Sequence, residues 1–120
     1  MDHPMYPESS RELHAMRREL APEPLAAFRA FSQAVFADGA LAAKIKQLIA
    51  VAVAHTTQCP YCIRGHTEAA IKSGATEKEV MEAIWVAAEM RAGGAYAHSN
   101  LALDTMRSLA ADEAGTPTGG

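Results

Sequence analysis

The sequence predicts an all-α fold built from helical hairpins. Apolar residues recur at helical spacing through most of the chain, and no segment alternates with period two for long enough to indicate a strand. Capping residues and helix breakers divide this pattern into about six helices. The 120 residues suit one domain. We expect a helical arm at 1–23, a helical core domain at 24–112 and a flexible tail at 113–120, where Gly, Pro and Thr accumulate.

The first two helices flank the proline-containing break APEP at 21–24. Ser9 or Ser10 can cap a short first helix, whose apolar side chains are Leu13, Met16 and Leu20. Pro24 suits the first position of the second helix, where no backbone N–H is needed. That helix carries the stripe Leu25, Phe28, Val35 and Phe36, and Asp38-Gly39 ends it.

The remaining helices follow from apolar spacing and caps. A third helix runs from about Leu41 to His55, with an expected inner face of Ile45, Leu48, Ile49 and Ala52. A fourth runs from about Pro60 to Ser73 and is closed by Gly74. Thr76 and Glu79 form a capping-box pattern for a fifth helix. Gly93-Gly94 is expected to separate it from a sixth, at about 95–110.

The fifth helix, VMEAIWVAAEM, is apolar around more of its circumference than one buried face requires. A second copy of the chain would cover the other side, so we expect a symmetric homo-oligomer. A net charge of −3 gives no reason to expect nucleic acid or an anionic membrane as a partner. Because the N-terminal residues contain no apolar signal segment and no apolar run reaches spanning length, we expect a cytoplasmic protein.

Both cysteines and one histidine lie together in CPYCIRGH, at 59–66. Pro60 at the first helical position makes Cys59 the N-cap and places both sulfurs near unpaired backbone N–H groups, which stabilise a thiolate. Cys59 and Cys62 are i,i+3 neighbours, and Cys62 and His66 are i,i+4, so all three share one helical stripe. The spacing suits a redox pair with a histidine proton relay.

This arrangement predicts a peroxidase cycle. The Cys62 thiolate attacks a peroxide O–O bond and becomes a sulfenic acid, and Cys59 then resolves it to a disulfide. An external dithiol reduces the pair by exchange through Cys59, which we expect to be the more exposed sulfur. Apolar neighbours of the site, among them Ile63 and Val51, favour an organic hydroperoxide.

Three other interpretations fit the same residues. The cysteines can be small core side chains beside a structural histidine. Cys59, Cys62 and His66 can bind zinc, with His55 as fourth ligand, although three ligands on one helical stripe fit a tetrahedron poorly. A non-catalytic redox sensor would use the same chemistry.

The motif CxxCxxxH, its lead-in KQLIAVAVAHTTQ and the following TEAAIKSGATEKEVMEAIWVAAEMRAGGAYAH resemble the carboxymuconolactone decarboxylase superfamily, specifically its alkyl hydroperoxidase D branch. The resemblance covers roughly residues 25–106. It implies an all-α trimer or hexamer that reduces hydroperoxides without a metal or organic cofactor and is itself reduced by a dithiol protein. Carried over by position, Cys62 attacks the peroxide, Cys59 resolves and His66 relays the proton.

The resemblance also implies a glutamate twelve residues before the first cysteine, and this chain has Gln47 there. A glutamine cannot accept the relayed proton, although it can orient His66 or hold a water. His55 and Glu89 are candidate substitutes. The simpler explanations are a helix-capping role for His55 and, for Glu89, an ion pair with Arg91, with Arg64 or across a subunit boundary. Because the glutamate is missing, a lactone decarboxylase is an alternative function. Because the cysteines and histidines can bind zinc, a zinc-binding or structural module is another.

Overall fold

The computed structural model describes residues 5–115, which form five α-helices and no strand. They are α1 (Arg11–Leu20), α2 (Pro22–Phe36), α3 (Ala43–Thr57), α4 (Pro60–Lys72) and α5 (Glu77–Glu113). The all-α prediction is therefore confirmed. Residues 1–4 of the expected arm and 116–120 of the expected tail lie outside the described residues.

α1 and α2 are separated by a single residue, Ala21. Ser10 caps α1, and its hydroxyl accepts the Leu13 N–H at 3.2 Å. α2 begins at Pro22, so the expectation that Pro24 starts it is wrong. Both prolines fit the first turn because the N–H groups there have no intrahelical acceptor. The cap of α1 was predicted correctly from sequence.

The core lies where α3, α4 and α5 meet. Its buried side chains are Val51, Ala70, Ala75 and Val80, with Leu48 and Ile84 packed beside them. The inner face of α3 is thus Leu48, Val51 and Ala54. Leu48 was expected on this face, but the rest of the expected face is replaced by its neighbours around the helix. Ile45 and Ile49 remain 40% and 47% exposed. Because α3 is apolar on two sides, periodicity alone did not determine which side turns inward.

α5 is a single helix of 37 residues, so the predicted break between a fifth and a sixth helix is wrong. Each glycine of Gly93-Gly94 weakens a helix by about 1 kcal/mol, which neighbouring helix-forming residues tolerate where no proline intervenes. The capping box is confirmed at the start, where Thr76 Oγ1 accepts the Glu79 N–H at 3.1 Å. A Lys44–Glu79 ion pair of 2.9 Å ties this end to α3. No helix within residues 5–115 is long and apolar enough to cross a membrane.

The chain is extended. Its radius of gyration is 22.4 Å, against about 14 Å for a compact chain of this length. Its accessible surface is 9697 Å², against roughly 6,300 Å² for a compact monomer of this mass. The exposed large apolar side chains include Phe28, Phe31, Trp85, Met90 and Leu101, each about two-thirds exposed. A single chain therefore leaves much of α2 and α5 without apolar neighbours.

Candidate active site

The connection between α3 and α4 presents both cysteines. α3 ends in Gln58, whose φ of 58° and ψ of 49° are left-handed and turn the chain sharply. Cys59 follows as N-cap of α4 and Pro60 takes its first position, as the sequence predicts. The Cys62 N–H donates to Cys59 Sγ at 3.3 Å. One otherwise unpaired N–H of the helix start is thus directed at a cysteine sulfur.

Cys59 and Cys62 are joined in a disulfide. Their Cα atoms are 5.2 Å apart, within the range that a disulfide requires, so α4 accommodates the bond at its first turn. Both residues are half-buried. Their exposure does not distinguish them at that level, and the expectation that Cys59 is the more exposed sulfur stays a prediction.

His66 is held by Gln47, one turn beyond Cys62 along α4. His66 Nδ1 lies 2.8 Å from Gln47 Oε1. An amide oxygen only accepts hydrogen bonds, so Nδ1 carries the proton and donates it. In the neutral ring Nε2 then has the free lone pair. The contact therefore selects the tautomer in which Nε2 can take a proton from a neighbouring group.

Phe36, the last residue of α2, covers His66. The two rings stack with centroids 5.1 Å apart and planes at 26°. The end of α2 is tied to α3, since Lys46 Nζ donates to the Val35 and Ala37 carbonyls at 2.8 and 2.6 Å. The sequence predicts that Phe36 lies on an apolar stripe, but it does not predict this contact with His66. No local signal marks it, because the two rings are separated by thirty positions.

The N-terminal segment reaches the cysteine motif through Tyr61. The Tyr61 hydroxyl donates to the Pro7 carbonyl at 2.7 Å, and the Tyr6 ring packs edge-on against Tyr61 with centroids 6.0 Å apart. Residues far apart in sequence thus meet at Tyr61, inside the cysteine motif. We name residues 5–10 the N-terminal strap.

The two candidate substitutes for the missing glutamate have other contacts. His55 Nδ1 donates to the Val51 carbonyl of its own helix at 2.8 Å. This carbonyl is not one of the last four of α3, so the capping role expected for His55 stays a prediction. Glu89 is exposed, and its side chain lies along α5 toward Gly93. Within residues 5–115 it makes no ion pair, so the pairing expected with Arg91 or Arg64 is not formed. Neither residue hydrogen-bonds to His66.

No group of three or more His, Cys, Asp or Glu side chains is arranged to hold a metal ion, as far as residues 5–115 are concerned. The zinc interpretation needs Cys59, Cys62, His66 and His55 to converge on one point. In this structure the sulfurs are bonded to each other and His55 bonds to its own helix. The structure therefore gives the zinc interpretation no geometric support.

Residues 22–105 match the profile of the carboxymuconolactone decarboxylase family. The chain belongs to this family. The match begins at the first residue of α2 and ends within α5, so it includes Phe36, Gln47, the cysteine pair and His66. The resemblance seen in the sequence is thus confirmed at the level of the family.

Three relatives show how this family member compares with known proteins. A Paracoccus denitrificans protein called uncharacterized protein 4 in cox locus is 69% identical over 77 residues, or 64% of this chain and 69% of that protein. A Methanobacterium thermoautotrophicum structure is 40% identical with a TM-score of 0.65, covering 69% of this chain and 93% of the other. A carboxymuconolactone decarboxylase family protein from Legionella pneumophila is 39% identical with a TM-score of 0.63, covering 66% and 70%.

Proposed function

We propose that this protein is a thiol-dependent hydroperoxidase and disulfide reductase of the alkyl hydroperoxidase D type. The observation that carries the proposal is the disulfide-bonded Cys59–Cys62 pair at the start of α4, with His66 one turn away in the tautomer set by Gln47. A dithiol that closes within one helical turn can pass between reduced and oxidised forms with little backbone motion. That property suits turnover better than static packing.

The cycle balances over three steps. The Cys62 thiolate attacks one oxygen of ROOH, the O–O bond breaks, and the products are a Cys62 sulfenic acid and, after protonation, the alcohol ROH. The Cys59 thiol displaces the sulfenic hydroxyl as water and forms the disulfide seen here. An external dithiol then attacks the disulfide, takes over the oxidation as its own disulfide and returns both thiols. Two electrons pass from the external dithiol to the peroxide.

His66 manages the proton in this cycle. Because Gln47 holds the Nδ1 proton, Nε2 is the nitrogen available to accept the Cys62 thiol proton and later to donate it to the leaving alkoxide. Gln47 acts as a positioning residue and does not itself accept the proton. Phe36 covers one face of the ring and limits its rotation. The relay is thus shorter than one that begins at a carboxylate.

The proposed partners are a small organic hydroperoxide and a dithiol protein, with no metal or organic cofactor and no nucleic acid or membrane partner. We also propose a homo-oligomer, a trimer or hexamer, in the cytoplasm. The support for assembly is the extended shape and the exposed apolar residues of α2 and α5. Light scattering coupled to size-exclusion chromatography measures the mass, and a monomer of 12.8 kDa at micromolar concentration would contradict the assembly.

The test of the activity is a thiol count. Prereduced protein is mixed with a small excess of cumene hydroperoxide, and free thiols, alcohol product and intact mass are followed. We expect two thiols to disappear for each peroxide reduced, with a Cys59–Cys62 peptide recovered. Survival of both thiols in excess peroxide refutes the proposal. The Cys62→Ser protein serves as the control, since it lacks the attacking sulfur and serine is close to cysteine in size.

A lactone decarboxylase is the alternative that the family name suggests. Decarboxylation has no need of a thiol pair that closes to a disulfide, so the observed pair favours the peroxidase. Cys62→Ser separates the two, because a decarboxylase retains its activity in that variant.

A further inference from the structure

A cavity of about 450 Å³ lies between the N-terminal strap and α1, and Tyr61 forms part of its wall. Small-molecule sites fall in the range of about 300–1,000 Å³, so this cavity suits a small organic ligand. Pro7, Leu13 and Tyr61 supply apolar surface. Tyr61 directly precedes Cys62 in the sequence, so the wall of the cavity includes a chain neighbour of the redox pair.

The polar side of the cavity carries an available positive charge. Arg17 Nη1 donates to His14 Nδ1 at 3.3 Å, and His14 Nε2 lies 3.4 Å from Ser9 Oγ. The guanidinium keeps the Nδ1 lone pair occupied, so His14 is neutral here with its proton on Nε2. Glu8 also lines the cavity, yet Arg17 makes no ion pair with it or with any other carboxylate of residues 5–115.

A guanidinium offers several N–H donors in a fixed fork, and its preferred partner is a planar carboxylate. His14 accounts for one donor of Arg17. Arg17 lines the cavity, and Leu13 and Tyr61 give it an apolar and aromatic portion. A ligand that matches both sides has a carboxylate at one end and an apolar body reaching Tyr61.

We propose that the cavity under the N-terminal strap is a substrate site for organic hydroperoxides that bear a carboxylate. The inference rests on the proposed peroxidase function. Arg17 binds the carboxylate, Leu13 and Tyr61 contact the apolar body, and the peroxide end lies toward the cysteine pair. The Tyr61–Pro7 hydrogen bond holds the strap closed over the ligand.

Binding is measured on the full chain in its disulfide form, where no peroxide chemistry occurs. Calorimetric titration compares 4-isopropylbenzoate, a non-peroxidic carboxylate, with its methyl ester. We expect the acid to bind at least tenfold more tightly than the ester, as the loss of a hydrogen bond between charged groups predicts. Arg17→Gln should weaken the acid about tenfold and leave the ester unchanged.

Arg18→Gln is the matched control. This substitution removes the same charge from the same helix, but Arg18 lines a different cavity, together with Arg11 and Arg29. We expect Arg18→Gln to change the affinity for the acid less than about twofold, since salt and solvent screen the interaction of an exposed charge with a ligand that it does not contact. Tyr61→Phe removes the bond to Pro7 and should weaken acid and ester by the same factor, because it loosens the strap without changing the charge.

Three results would each overturn the proposal. The unmutated chain could bind acid and ester with equal affinity, or bind neither compound at millimolar concentration. Arg17→Gln and Arg18→Gln could also weaken acid binding equally. The outcome does not depend on turnover, so a chain that fails the thiol count can still pass this test. In a chain that passes both, Arg17→Gln should lower kcat/KM about tenfold for 4-carboxycumene hydroperoxide and leave cumene hydroperoxide unaffected.

Discussion

Replacing Gln47 by glutamate and by leucine tests how His66 is controlled. Gln47 Oε1 accepts the Nδ1–H of His66 at 2.8 Å, and both residues are half-buried. Glutamate retains the acceptor and adds a negative charge beside the ring. Leucine retains most of the volume and removes the acceptor. The pair therefore separates the effect of charge from the effect of hydrogen bonding.

The magnitude follows from the short contact. Two unit charges about 4 Å apart interact by about 4 kcal/mol at an effective dielectric constant of 20. Solvent screening of this half-exposed site reduces that to about 1–2 kcal/mol. Because about 1.4 kcal/mol corresponds to a tenfold change in an equilibrium constant, Gln47→Glu should raise the population of the imidazolium–thiolate pair about five- to thirtyfold. Gln47→Leu frees the ring to place its proton on Nε2 and should slow oxidation at least about tenfold, given the usual contribution of a positioned base.

The assay is a single-turnover reaction. Each reduced protein is mixed with cumene hydroperoxide in a stopped-flow instrument, and the second-order rate of thiol loss is measured from about pH 5 to pH 9. We expect Gln47→Glu to be faster than the unmutated chain, with the largest gain at the acidic end, and Gln47→Leu to be slower throughout. Equal rates for the unmutated chain and Gln47→Leu would refute the assignment of Gln47 as the positioning residue.

Four further predictions concern aromatic packing, helix ends and the interior of α5. Phe36→Leu removes the ring stacked on His66 and should slow the same single-turnover oxidation about two- to tenfold, in line with an aromatic pair worth about 0.5–1.5 kcal/mol. An unchanged rate would show that the stacking has no role. Thr76→Ala should lower the free energy of unfolding by about 1 kcal/mol in urea at fixed protein concentration. Hydrogen bonding to Thr76 lowers the pKa of Glu79, so this carboxylate stabilises the fold above its ordinary pKa and loses that effect as the pH falls through the lowered value. The difference in unfolding free energy between the unmutated chain and Glu79→Gln should therefore vanish in acid. A difference that grows in acid would contradict the lowered pKa of Glu79. Gly94→Ala should stabilise by about 1 kcal/mol, since nothing lies within 4 Å of the added methyl group; destabilisation would contradict a continuous α5.

Helix ends and the cysteine motif were predictable from sequence because they are determined locally. Ser10, Cys59 with Pro60, and Thr76 with Glu79 each act within one helical turn, and all appear where their residue types require. The i,i+3 spacing of the two cysteines likewise fixes a separation that a disulfide can span.

The features that sequence did not predict depend on distant contacts or on competing local terms. Phe36 meets His66 only after the end of α2 reaches α4 in the folded chain. The inner face of α3 depends on α4 and α5, since its other face is also apolar. Gly93-Gly94 was misjudged because the unfavourable glycine propensities are smaller than the gain from continuing a long helix. The cavity under the strap requires the Tyr61–Pro7 contact across 54 positions.

The proposed activity requires a Cys62 thiolate at neutral pH, stabilised by the start of α4 and by proton transfer to His66. Ultraviolet absorbance of the thiolate at about 240 nm, recorded on the reduced protein as the pH is raised, measures this directly when Cys62→Ser is subtracted. We predict that the Cys62 signal is already present at pH 7 and diminishes in His66→Asn. A signal that emerges only near pH 8.5, as in a free cysteine, and is the same in His66→Asn would contradict the account.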